Sequence, residues 1–153
     1  MTEFYAGQIA YQDLLEPKTF KVASGVANIA RGDLCTMNSD GYLKPADPVN
    51  TGPAVFKDGL FVALQKADSH ATIDGHTTCQ VACVRSRVVM EVGVVTIGMP
   101  VKTANNSYTR LVGVGASPAA NTVIGTVYEF PGAPDKRKSA AGDLAVIDLG
   151  IGV

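Results

Sequence analysis

A short pattern occurs twice in this chain, sixty-six residues apart: Gly32-Asp33-Leu34-Cys35-Thr36-Met37-Asn38-Ser39-Asp40-Gly41-Tyr42 and Gly98-Met99-Pro100-Val101-Lys102-Thr103-Ala104-Asn105-Asn106-Ser107-Tyr108. Each copy reads as a turn, a short strand, a polar hairpin turn and an aromatic residue opening the next strand. Two copied β-units fit a compact barrel or sandwich more readily than a chain arranged around one catalytic loop. The question becomes which surface acts, rather than which reaction is run.

The order of elements around the two copies also repeats. Phe20 and Val22 begin an alternating stretch that Ser24-Gly25 interrupts, and Leu60-Phe61-Val62-Ala63-Leu64 is an apolar run of buried-strand type. Gly75 leads into a strand from Cys79 to Val84, and Val88 to Val95 is the longest β-branched stretch. Gly93 inside that stretch suggests a bulge or a strand that changes sheets. Past Gly98 the order recurs, with strands ending at Thr103 and running over Tyr108 to Val114, Val123 to Val127, and Leu144 to Leu149. Lys44 to Asp58, Lys66 to Asp74 and Glu129 to Ala140 read as loops, and only Ala116 to Asn121 suggests a short helical turn. The expected fold is all-β, a small β-barrel or β-tulip-like domain over 20–153 in which the two units form the halves of one barrel. Residues 1–19 lack sustained periodicity, contain Pro17, and read as an extended N-terminal arm.

At 153 residues the chain is long enough for one domain with a real core. Apolar residues make up 46% and charged ones only 18%, so part of the surface is uncharged and open to cover by other protein. A formal charge of −1 provides no broad basic field for a nucleic acid. Lys136-Arg137-Lys138 is the one concentrated positive run, and its Pro- and Gly-containing surroundings mark a solvated loop. No stretch approaches the roughly 18 apolar residues of a spanning helix, and the first residues carry no secretion signal, so a soluble, unsecreted protein with no membrane partner is expected. Three cysteines do not suggest a disulfide framework.

Candidates for chemistry meet specific objections. His70, His76, Cys79 and Cys83 are zinc-ligand types, yet Cys79 and Cys83 on one strand lie about 13 Å apart, too far to share an ion. Neither a metal nor another cofactor is expected. Ser69-His70 and Asp74-Gly75-His76 hold the residue types of a nucleophile and base, but within a polar segment of ordinary loop composition. Asp33, Asp58, Glu91 and Asp143 are scattered, and Gly113-Val114-Gly115 lacks the third glycine of a dinucleotide turn. Arg31-Gly32-Asp33 spells an adhesion tripeptide, and Asn105-Asn106-Ser107 a glycosylation sequon, but both fall in the repeated turns. An enzyme is not expected.

The order Val22-Ala23-Ser24-Gly25, Ile29-Ala30-Arg31-Gly32-Asp33-Leu34, Asp40-Gly41-Tyr42, Leu60-Phe61-Val62-Ala63-Leu64 and Gly75-His76-Thr77-Thr78-Cys79-Gln80-Val81 resembles the head decoration, or capsid cement, proteins of tailed bacteriophages. The resemblance spans about residues 18 to 150. It implies a small β-barrel or β-tulip domain, a homotrimer at three-fold or quasi-three-fold positions of the shell, and an arm reaching the major capsid protein. It also implies residence on the virion after assembly in the host bacterial cytoplasm, and no catalytic residues. Phe4, Tyr5, Ile9 and Tyr11 are then the expected capsid-binding side chains, since an extended arm gains main-chain hydrogen bonds at a sheet edge while alternate side chains fill pockets. The competing expectation is a ligand- or carbohydrate-binding barrel of a phage fibre or tail. A sugar platform needs aromatic side chains, and the chain has no Trp.

Overall fold

The computed structural model describes residues 4–10, 17–24, 29–46, 56, 58–73, 75–104, 110–113 and 122–152. Among these residues eleven strands follow in order: β1 Lys18–Lys21, β2 Leu34–Met37, β3 Leu43–Pro45, β4 Phe61–Ala63, β5 Asp68–Ile73, β6 His76–Ala82, β7 Arg87–Val92, β8 Pro100–Thr103, β9 Arg110–Gly113, β10 Val123–Glu129 and β11 Leu144–Gly152. The described residues contain no helix, and the fold is all-β. The expected helical turn at Ala116 to Asn121 and the sequon at Asn105 lie outside the described residues. Lys66 to Asp74, expected as a loop, contains β5, which pairs antiparallel with β6. Its polar composition is that of a strand at the margin of a sheet.

The two units do not share one barrel; each builds its own sheet. The first runs β1-β6-β4-β2-β3, and the second, β10-β11-β7-β9-β8, closes on itself. The correspondence extends to single hydrogen bonds. Gly32 N–H donates to the Ala63 carbonyl at 2.8 Å, and Gly98 N–H to the Val127 carbonyl at 2.8 Å. Asp33 N–H closes its turn on Ala30 O at 3.1 Å, and Met99 N–H on Thr96 O at 3.1 Å. Ala63 pairs with Val81 as Val127 pairs with Ile147. Gly32 and Gly98 have φ of 91° and 83°, a region that favours glycine, so the repeated glycine is a conformational requirement of the turn.

Closure distinguishes the units. In the second, β7 and β9 pair in parallel at Glu91↔Arg110 and Val92↔Leu111. In the first, the counterpart is one isolated parallel bridge, Val22↔Leu43. Inside the first sheet Val22, Cys35, Leu43, Ala63, Cys79 and Val81 form one buried cluster. Its outer face supplies Leu34, Val62 and Ala82 to a larger core that contains Val88, Met90, Val101 and Ile147 of the second sheet. This apolar junction joins the two units, because strand alternation sends every second residue of β2, β4 and β6 outward.

Candidate functional site

Residues 4–10 lie along the outer edge of β7. Gly7 N–H donates to the Val89 carbonyl at 2.7 Å, Val89 N–H to the Gln8 carbonyl at 2.9 Å, and Ala10 N–H to the Arg87 carbonyl at 3.0 Å. Ile9 forms an antiparallel bridge with Val88. Residues 7–10 therefore pair along an edge of the chain's own second unit. β1 starts at Lys18, inside the span expected for the arm.

Side chains explain the seat. Val88 and Met90 point into the second ring, so Val89 points out, as does its cross-strand partner Val146. Both are nonetheless buried, at 1% and 2% exposure. They line a groove with Phe4, Gln8, Ile9, Pro131 and Gly132, so the arm covers them. Phe4 also borders a second groove with Phe130, Ala133 and Leu144.

The arm reaches the first unit as well. Gly7, at φ 84°, sits so near the Gly32 turn that a Cβ would lie 2.5 Å from Arg31 Cγ and 2.6 Å from Gly32 N. The Arg31 guanidinium stacks 3.8 Å from the Tyr5 ring centroid. Tyr5 N–H donates to Gln8 Oε1 at 3.1 Å, and Gln8 N–H to Tyr5 O at 3.2 Å, which fixes the turn between them. Phe4, Tyr5 and Ile9 thus come together as a strap across both units, whereas Tyr11 lies outside the described residues.

The Arg31-Gly32-Asp33 tripeptide is divided between two environments. Arg31 serves the arm, while Asp33 is 4% exposed and accepts Ala30 N–H at 2.9 Å. Burial raises the Asp33 pKa above the usual carboxylate range, and the Ala30 N–H opposes the shift. The same turn recurs at Ala140-Ala141-Gly142-Asp143, where Asp143 Oδ2 accepts Ala140 N–H at 2.8 Å and Lys136 Nζ–H at 2.7 Å. There the Lys136 ammonium holds the carboxyl below its ordinary range, with the Ala140 N–H acting in the same direction. Lys136 of the basic run is thus an ion-pair partner, and Lys138 bridges to Thr96.

His76 and the cysteines do not converge on one centre. His76 Nδ1 is 3.1 Å from the Val22 carbonyl, and its ring stacks on Tyr42 at 4.4 Å. Cys79 lies inside the first sheet, its thiol pushed up to about 11, mainly by burial. Burial raises Cys35 further, and Cys83 is half-buried beyond β6. Of His70 only the backbone, in β5, is described. Among the described residues no group of three or more His, Cys, Asp or Glu is placed to hold a metal.

Sequence reasoning missed the arm's own seat, although a signal exists. Val88-Val89-Met90 is apolar on both faces, which marks a strand covered on both sides. No family model matches the chain, and no curated protein matches it.

Proposed function

We propose that the chain is a structural virion protein that binds the outer surface of a phage capsid and stabilises the shell. In this reading it acts as a homotrimer at three-fold or quasi-three-fold sites, with the major capsid protein as partner, and is assembled in the host cytoplasm. The observation that carries the reading is strand addition: residues 7–10 join the edge of β7 through three main-chain hydrogen bonds. A β-scaffold that accepts an added strand has the recognition mode by which a cement subunit can be fastened to a neighbouring chain. Near-neutral charge suits protein contacts over nucleic acid. Three subunits acting together convert weak single contacts into firm attachment through effective concentration.

A carbohydrate-binding role finds less support, because the exposed Tyr5 and Tyr128 rings each have one face under an arginine, Arg31 and Arg87, at 3.8 Å. The test is co-sedimentation of the full chain with expanded phage shells stripped of decoration, together with its mass in solution. Saturable binding at a fixed ratio to the shell protein and a mass of three copies are expected. Absence of binding to any shell at micromolar protein overturns the reading.

A further inference from the structure

The second unit's edge is occupied by the arm, and the first unit has the same edge without an occupant among the described residues. β7 receives the arm through three groups, the Val89 carbonyl, the Val89 N–H and the Arg87 carbonyl. The pairing Lys18↔Val81 in the first unit corresponds to Val88↔Ile147 in the second. Thr19 therefore stands where Val89 stands, and Pro17 where Arg87 stands. Proline lacks only the N–H, which is not among the three groups used. The Pro17 carbonyl and the Thr19 N–H and carbonyl reproduce the complete set.

Their direction follows from the pleat. Val22 N–H donates to Thr77 O at 2.7 Å, so Lys18, Phe20 and Val22 turn their main-chain groups toward β6, and Thr19 turns away. Pro17, Lys18 and Thr19 are exposed. The side-chain seat differs in one respect: the apolar Val89 and Val146 are replaced at the equivalent positions by Thr19 and Gln80. The described part of the arm is already on β7. The geometry points to an extended segment of a partner protein, with polar side chains over Thr19 and Gln80, adding as a strand along Pro17–Thr19. Naming that partner as the shell protein rests on the decoration reading; the strand-addition site itself does not.

The probe is a synthetic peptide of residues 4–10 carrying F4T and I9T, titrated into isotope-labelled full-length protein and followed by amide NMR. Signals of Lys18, Thr19 and Phe20 are expected to move while Val89 stays still. In the free protein the Thr19 amide is expected to exchange with solvent about a hundredfold faster than those of Phe20 and Val89. Thr19→Pro removes the outward N–H at a position where an edge strand tolerates proline, and abolishes the response. As a second variant that keeps the strand, T19V with Q80V should reverse the preference toward the unmodified arm peptide. Shifts that map away from β1, a T19P protein that responds like its parent, or a protected Thr19 amide in the free chain each overturn the proposal. On shells, T19P should bind about tenfold or more weakly than the parent. Shell binding undiminished by T19P overturns the edge site and spares decoration, whereas a peptide response without any shell binding overturns decoration and spares the edge site.

Discussion

In the first unit the outer face of β2, β4 and β6 carries Leu34, Val62 and Ala82; in the second unit the equivalent positions, on β8, β10 and β11, are Pro100, Thr126 and Asp148. The reverse holds on the face beside the arm, where the first unit has Thr19 and Gln80 and the second Val89 and Val146. One backbone plan is thus used twice with its apolar outer face moved. In the first unit that face makes the junction with its neighbour, and in the second it receives the arm. Inward positions stay apolar in both, Cys35, Ala63, Cys79 and Val81 matching Val101, Val127, Ala145 and Ile147. The turns and inward positions set the fold, while outward positions decide what each unit packs against.

The same charge placed at matched positions should affect the two outer faces very differently. Val62 is fully buried in the junction and Thr126 is exposed. Val62→Asp puts an unpaired carboxylate into the shared core and should cost about 4 kcal/mol or more, enough to leave much of the chain unfolded. Thr126→Asp should change stability by about 0.5 kcal/mol or less. Urea unfolding of both variants checks the pair, and equal losses would show that the two faces are not distinguished by burial.

Removing the arm tests the other apolar face. Deletion of residues 1–10 uncovers Val89 and Val146 and breaks three main-chain bonds, partly offset by the entropy the arm regains. A net loss of about 2–3 kcal/mol is expected. Gly7→Ala should approach that loss without exceeding it, because the worst it can do is undock the strap. The arm expected to bind the capsid is thus also part of what holds the fold together. Lost shell binding in such a truncation would report stability as much as attachment.

Much of the architecture was legible because it is local. Positive φ at Gly32 and Gly98 and the Asp40-Gly41 hairpin are written in adjacent residues, and Asn38 Oδ1 completes that hairpin by accepting Asp40 N–H at 3.0 Å and Tyr42 N–H at 2.9 Å. What was not legible is long-range. Whether β6 and β11 pair within their own units or across them leaves the turn residues unchanged, so one barrel and two sheets looked alike. The arm's seat needs the alternation of Val88-Val89-Met90 to be read together with Val146, which lies in a different strand. The Ala-x-Gly-Asp-Leu turn at 30–34 and 140–144 escaped notice because its spacing differs from that of the first repeat.

Closure offers a subtler contrast. Among the described residues the edges of the first sheet meet at an isolated bridge, Val22↔Leu43, against a two-residue parallel pairing in the second. Local opening should therefore occur first in the first unit, and Cys35 and Cys79 inside it are natural probes. At urea concentrations below the global transition, a thiol reagent should label Cys83 first and Cys35 and Cys79 next, while near-ultraviolet signals of the native state persist. Labelling of Cys35 only in step with global unfolding would mean that both units open together.

The smallest expected difference lies in two copies of one turn. Asp33 and Asp143 each accept the N–H three residues earlier, but burial raises the pKa of the first and Lys136 lowers that of the second. A raised carboxylate means that the folded chain holds its proton to higher pH than the unfolded chain. The contribution of Asp33 is therefore fully present below the unfolded value of about 3.9 and is lost as pH rises through the folded pKa. For Asp143 the sign reverses: its contribution is present above that unfolded value and lost as pH falls through the depressed folded pKa. Urea midpoints from pH 3 to 7 should show Asp33→Asn gaining on the parent as pH rises, and Asp143→Asn losing on it. Because asparagine keeps an acceptor for the same N–H, both variants isolate the charge, and parallel curves for the two would show that the turn, rather than its surroundings, sets the titration.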